Sequence, residues 1–364
     1  MRYKIGLTPG DRPAWDEFMA SSPGGNFRQT TTWGAIRQLA GWEPVYVWVE
    51  EENGSIRAAL LMFARRIPIL GRTLLYGCRG PVLDWNDPAA LTELMRGVRD
   101  VAREHKAILL RVDPEPSSDD KVLQDTLRQA GFVSLRQDFT AWNRTQYELR
   151  LLLDRSEEEI WKSLRRTLRQ EINASKRQGV TLDTEVRHQD AAQFCMLMAG
   201  LEDVKNAIHH QNQYYQTVYE EVLRTGGILV KACYDETIIA VMLLAFVGDR
   251  CWAVYMANDY NYRKLNPNKV LMWEGVRIAK ERGCRFFDMG ATQGKPFDPN
   301  DPLDAYKLGF RPEVVRFPGF FDYALHPQWY RVFVLSEFKI IPVIFRIMRF
   351  VGRIRKSVVR SPGK

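Results

Sequence analysis

Residues 303–312 read LDAYKLGFRP, just after the turn-forming run GATQGKPFDPND. A stretch so rich in Pro, Gly and Asp reads as a surface connection, and such connections carry function when a rigid scaffold positions them. Lys307 is then either a solvated cation or an ammonium held toward reacting groups, while Phe310 reads as a core plug. A second candidate, Asp113, ends the strand-like run LLRVDP. An Asp-Pro pair there is either a turn or a carboxylate able to accept a proton or orient an amine. A third is the cationic stretch Lys162, Arg165, Arg166, Arg169, Lys176 and Arg177, set against Glu171. It is either a solvated helix face or a surface for nucleic-acid phosphates. No His–carboxylate or Ser–His pairing at recognisable spacing accompanies these groups, and no cluster of metal ligands does. Neither nucleophilic nor metal catalysis is expected, and no cofactor.

These groups need a scaffold, and 364 residues are enough for two domains. The apolar share of 45% and charged share of 26% are those of a soluble globular chain. Five scattered cysteines without a CxxC pair argue against a disulfide framework and fit a reducing compartment. The first residues lack the apolar run of a signal peptide, so a cytoplasmic protein is expected. The net charge of +8 is carried entirely by residues 331–364, which hold nine Lys or Arg and one acid. The folded body is formally neutral, so the high net charge is no evidence that it is a general nucleic-acid binder.

The chain reads as a repeat. Two hairpin patterns, VYVWVEEENGSIRAALLMFARR (45–66) and ILVKACYDETIIAVMLLAFVGDR (228–250), are each followed by a helix leading into a strand, at 91–115 and 269–291. Each half then closes on a Gly-Phe pair and a further β segment, and the two pairs lie 178 positions apart. This predicts two α+β units, each a mixed sheet flanked by helices, with domains over 1–150 and 151–330 and a tail over 331–364. The second domain is expected to open with one long basic helix, capped at Ser156 and closed by Lys176, Arg177 and Gly179.

Several segments in this order resemble the FemABX family of peptidoglycan aminoacyltransferases, whose members carry two tandem GNAT-like domains. They are QTTTWGAIRQLAGW (29–42), LLRVDPE (109–115), LRRTLRQEINASKRQGV (164–180), HHQNQYYQTVYEEV (209–222), residues 251–292 and YKLGFRP (306–312). The resemblance covers essentially residues 1–330 and is to the compact form, since 179–226 is too short for the family's coiled-coil arm. It implies transfer of an amino acid from aminoacyl-tRNA to the stem-peptide amine of a peptidoglycan precursor, lipid II or UDP-MurNAc-pentapeptide, to form the interpeptide bridge.

The resemblance also implies roles for particular residues. Lys307 matches the family's catalytic lysine, suited to stabilising the oxyanion of ester aminolysis. Independently of the resemblance, Asp113 is the candidate for accepting a proton or orienting the amine. Arg37, Tyr215 and Tyr255 match acceptor-binding positions. Gln211 stands where the family usually has an arginine, whose contact His209 or His210 would then supply. Tyr306 would stack on the terminal adenosine of the tRNA or pack on the second domain. Arg165, Arg166, Arg169, Lys176 and Arg177 would meet tRNA phosphates. Neither half shows the glycine-rich turn that holds the coenzyme A pyrophosphate in ordinary GNAT enzymes, which favours the tRNA-linked donor.

Three other functions compete: aminoacyl transfer to a lipid headgroup, CoA-dependent N-acyl transfer, and membrane-docked binding without catalysis. The tail from Tyr330 onward bears on location. Lys339, Arg346, Arg349, Arg353, Lys356 and Arg360 recur at helical spacings beside a wide apolar face. That pattern predicts either packing on the second domain or an interfacial helix on an anionic membrane, placing the enzyme peripherally on the inner face of the plasma membrane.

Overall fold

The structure is a computed structural model that describes residues 1–67, 70–115, 120–135, 147–205, 212–291 and 302–337. The first half runs β1 (Arg2–Ile5), α1 (Arg12–Ser21), α2 (Thr31–Leu39), β2 (Glu43–Glu50), β3 (Ile56–Ile67), β4 (Arg72–Arg79), β5 (Val82–Leu83), α3 (Pro88–His105), β6 (Ala107–Pro114), α4 (Asp120–Gln129) and β7 (Val133–Ser134). The second runs β8 (Tyr147–Leu152), α5 (Glu157–Ser163), α6 (Arg166–Arg177), β9 (Thr181–Asp183), α7 (Asp190–Lys205), α8 (Asn212–Arg224), β10 (Ile228–Tyr234), β11 (Thr237–Val247), β12 (Arg250–Asn258), α9 (Pro267–Glu281), β13 (Phe286–Ala291), α10 (Pro302–Leu308), β14 (Glu313–Arg316), β15 (Phe321–Ala324) and α11 (Pro327–Leu335).

Local sequence accounts for most of these elements. α3 buries Leu91, Leu94, Val98 and Val101, three and four residues apart, and starts where Asp87 accepts from the Ala90 N–H at 3.0 Å. The β10–β11 hairpin turns at Asp235 and Glu236, both at positive φ, the geometry that matches strand twist. The long basic helix expected after Ser156 is instead two helices. Ser156 and Glu159 do form a reciprocal cap. α5 then ends at Ser163, and the Arg165 N–H leaves the helix ladder for the Gly309 carbonyl at 2.9 Å, so α6 starts afresh.

The first sheet has the order β1-β2-β3-β4-β6-β15-β7, with β5 beside β3, and the second β9-β10-β11-β12-β13-β8-β14. Place for place they are one sheet drawn twice. Each has a single parallel pair in the fourth and fifth places, β4 with β6 and β12 with β13, and antiparallel neighbours elsewhere. The expected doubling of a mixed α+β unit is present.

The sixth place, however, is filled crosswise. The first sheet takes β15, which arrives after the second half, and the second sheet takes β8, which follows the first. A boundary at 150/151 therefore cuts β8, and residues 321–337 belong with the first sheet rather than with a second domain or a free tail. Arg111 on β6 fixes them through buried ion pairs to Asp322 and Glu337 at 2.7 and 2.8 Å. The remainder of the tail, 338–364, lies outside the described residues.

The two sheets differ at the parallel pair. After a shift between Thr73 and Leu74, β4 and β6 stay in register from Leu74 to Arg79, whereas β12 and β13 pair only at Arg250–Trp252 and Phe286–Asp288. Beyond Trp252, β12 follows β11, with Val254 the extra residue where their register shifts at Leu243/Leu244. A wedge opens between the parallel strands of the second sheet.

An apolar core shared by both halves joins them, built from Trp15, Ile36, Trp48 and Phe63 against Phe194, Tyr215, Leu243 and Trp252. Arg250 adds a polar clamp: its guanidinium donates to the carbonyls of Met19, Ala20 and Gly25 at 2.8, 2.7 and 2.5 Å, at the C-terminal end of α1. Gly248 is required beside it, since a Cβ there would stand 2.3 Å from the Ala20 oxygen. Among the described residues no helix is long and apolar enough to cross a membrane.

Candidate active site

Lys307 lies in the last turn of α10 rather than on an irregular loop, and it is only 7% exposed. Its Nζ donates to the Ala291 carbonyl at 3.0 Å. Ala291 ends β13, one wall of the wedge, and is preceded by Gly290 at φ +80°, a backbone conformation that favours glycine. Phe310 plugs the second core as expected. Tyr306 packs edge-on against it at 5.8 Å and donates its hydroxyl to the Asn268 carbonyl at 2.8 Å. Its ring is part of the second domain's packing, and burial pushes its hydroxyl pKa well up.

A buried charge cluster stands behind this segment, where the two sheets meet. Arg28, Arg79 and Arg150 face Asp113, Glu115, Glu148 and Asp288. Asp113 accepts from the Arg79 guanidinium at 2.6 Å and from the Arg79 N–H at 3.0 Å, so it is committed to an ion pair. Burial pushes its carboxyl up, and the Arg79 charge opposes that. Asp288 is the member that approaches Lys307. One oxygen accepts from Arg150 Nε at 2.9 Å and the other from the Gly290 N–H at 2.7 Å. Burial, then the Glu148 charge, push the Asp288 carboxyl up to about 7. Burial also disfavours charge on Glu148, but Arg28, Arg79 and Arg150 outweigh it and hold that carboxyl well below its usual range. Of the two neighbouring carboxyls, Asp288 is therefore the readier to hold a proton.

The expected acceptor residues converge elsewhere on the interdomain face. Tyr215 is buried, with its hydroxyl on Glu202 at 2.5 Å; burial and that bond push its pKa up. The hydroxyls of Tyr214 and Tyr255 meet at 2.7 Å, and Phe194, Tyr214, Tyr215 and Tyr255 form one aromatic group. Arg37, in the last turn of α2, lies against Trp33 and Trp42 at 5.8 and 5.3 Å. Burial raises the Tyr255 hydroxyl strongly, and the Arg37 charge is near enough to oppose the shift. Gln211 lies outside the described residues, as do His209 and His210.

α6 turns Leu168, Ile172 and Ser175 inward and leaves Arg165, Arg166, Lys176 and Arg177 exposed, with Arg169 partly covered. The Arg165 N–H bond to Gly309 ties the start of this basic face to the segment that carries Lys307. Sequence reasoning missed the cluster members Arg28, Arg79, Glu115, Glu148, Arg150 and Asp288, and also Tyr214. The signal was there for three of them: Glu148, Arg150 and Asp288 interrupt otherwise apolar strand runs, YELRLLL and FFDMGA, where an unpaired charge would be costly.

Comparisons with known proteins bear on this geometry. The model of the FemAB family matches residues 12–222, more than half of the chain, and that of the acetyltransferase (GNAT) domain matches 162–307. The lipid II:glycine glycyltransferase of Staphylococcus haemolyticus is 23% identical over 390 residues, covering 87% of this chain and 92% of the relative. The protein of that name in Staphylococcus saprophyticus is 24% identical, over 88% and 93%. Among solved structures, that of FemX superposes with a TM-score of 0.80 at 19% identity, over 91% of this chain and 99% of the other. L-PGS from Bacillus licheniformis does so at 0.56 and 13%, over 91% and 96%. At these identities the solved structures speak for the fold alone.

Proposed function

The chain belongs to the FemAB family, and from that premise we propose that it is an aminoacyltransferase taking its amino acid from aminoacyl-tRNA. The acceptor is the stem-peptide amine of a peptidoglycan precursor, lipid-linked or nucleotide-linked. The relatives named for lipid II:glycine glycyl transfer support the acceptor class. The observation that carries the donor is the bond from the Arg165 N–H to Gly309, two residues beyond Lys307. It places the start of an exposed cationic helix beside the lysine, so phosphates on α6 and an ester near Lys307 belong to one extended ligand.

In this reading the amine nitrogen attacks the ester carbonyl carbon, and the carbonyl oxygen takes the negative charge. The Lys307 ammonium, held on the Ala291 carbonyl, stabilises that oxyanion. The carbon–oxygen bond to the ribose then breaks, the amide remains, and the amine proton ends on the released hydroxyl. Arg37, Tyr214 and Tyr255 orient the acceptor, Arg37 through its phosphates. Asp113 takes no part beyond its ion pair. The basic tail keeps the enzyme on the inner leaflet, near lipid-linked precursor.

Charged tRNA carrying radiolabelled amino acids tests this, offered with lipid II, with the muropeptide nucleotide and with phosphatidylglycerol. Label is expected on a muropeptide acceptor. Label on phosphatidylglycerol alone, or transfer from an acyl-CoA, would replace the proposal.

A further inference from the structure

We propose that Asp288 is the positioning residue for Lys307, acting through the backbone of Gly290 and Ala291. The two side chains are not partners. Asp288 sits within the interdomain charge cluster, 1% exposed, with one oxygen on Arg150. Its other oxygen holds the Gly290 N–H at 2.7 Å. That bond closes a turn in which Gly290 takes φ +80°, and the turn sets the direction of the next carbonyl, Ala291, the acceptor for the Lys307 Nζ at 3.0 Å. Remove the carboxylate and the turn has no internal acceptor for Gly290, so the Ala291 carbonyl is free to rotate away from the ammonium.

The arrangement explains why a charged residue stands in an otherwise apolar strand end. It also links the lysine to both halves of the molecule. Arg150 reaches Glu115 at 2.5 Å, and Glu148 reaches Arg28 and Arg79 at 2.9 and 3.1 Å. The contact of Lys307 with Ala291 is thereby coupled to the seating of the first domain on the second. The catalytic consequence rests on the reading of Lys307 given above; the geometric link does not.

The test reads Lys307 directly in the full chain, by its rate of acetylation with acetic anhydride across pH, resolved by mass spectrometry. Buried Lys231, on the same sheet, reports any general loosening. A lysine that loses this acceptor meets the reagent more readily, so Asp288→Ala should acetylate Lys307 about tenfold faster at a given pH. Lys231 should not change, and Asp288→Asn, which keeps an acceptor for the Gly290 N–H, should restore the wild-type rate. If Asp288→Ala does not fold, Gly290→Ala breaks the same turn with the cluster intact and should show the same rise. Wild-type labelling of Lys307 in a folded Asp288→Ala or Gly290→Ala protein overturns the proposal, as does an equal rise at Lys231. A tenfold rise in Asp288→Ala, alongside a wild-type chain that shows no tRNA-dependent transfer, upholds the positioning and removes the aminoacyltransferase reading instead.

Discussion

With its Nζ on the Ala291 carbonyl and little exposure, Lys307 stands where water competes weakly for it. Lys307→Met retains the bulk of the side chain and should fold. It should lose about 100- to 1,000-fold in single-turnover rate from charged tRNA, roughly 2.7–4 kcal/mol of transition-state stabilisation. Wild-type turnover would remove the lysine from the mechanism. The Asp288 carboxyl makes a separate prediction about stability. Raised from 3.8 to about 7, it holds a proton in the folded state that the unfolded chain releases. Its contribution is therefore favourable at low pH and falls as pH rises through that window, by at most about 1.4 kcal/mol per pH unit. Glu148 runs the other way: its depressed pKa adds stability above the usual carboxylate range that is lost in acid. Glu148, Arg150, Arg28 and the Gly290 N–H are the groups that set the Asp288 term. Urea melts from pH 5 to 7 should fall more gently for Asp288→Asn than for wild type, and parallel slopes would refute the raised Asp288 carboxyl.

α6 and the wedge are the elements that the proposed donor would meet. The exposed cations of α6 are expected to neutralise tRNA phosphates, so Arg166→Gln with Lys176→Gln should weaken tRNA binding and reduce its salt dependence. Each lost contact should take about 0.7–0.9 from the slope of log K against log salt. An unchanged slope would return α6 to a solvated face. At the wedge, α9 begins with Asn266 and Pro267 and brings no glycine-rich turn to the strand end. Coenzyme A is therefore expected to leave the melting temperature unchanged, whereas a ligand at about 100 times its Kd adds roughly 2.7 kcal/mol of apparent stability. A clear shift would point to CoA-dependent acylation.

Strand exchange and the buried cluster are expected to make the two domains one folding unit. Arg79→Met leaves Asp113 and Glu148 short of a buried partner, and should cost about 3–5 kcal/mol. Both domains should still melt in one transition; separate transitions would show that the exchanged strands do not couple them. The tail is tested on anionic and neutral vesicles, and the structure dictates where to cut. Glu337 neutralises buried Arg111, so the chain should end at Glu337 and not earlier. Binding to anionic vesicles should fall on truncation and weaken with salt. Binding that ignores both would mean that the cations from Lys339 onward do not hold the protein on a membrane.

The sequence determined what depends on neighbours along the chain. Hairpins, the apolar faces of α3 and α6, the Ser156 cap and the two Gly-Phe plugs are written in periodicity and turn residues. The repeat of these features was enough to predict two mixed sheets. Tertiary structure decided everything that depends on pairing across distance. A strand's pattern of alternation states that it needs a neighbour and not which sheet supplies it, so the exchange of β8 and β15 was invisible. The break between α5 and α6 depends on a carbonyl from Gly309, far along the chain. Asp113 read as a candidate base because a lone carboxylate in sequence carries no record of its counterion; folding set it on Arg79, and set Asp288 behind Lys307. Desolvation makes such pairings obligatory, since a buried charge must find its partner wherever in the chain that partner lies.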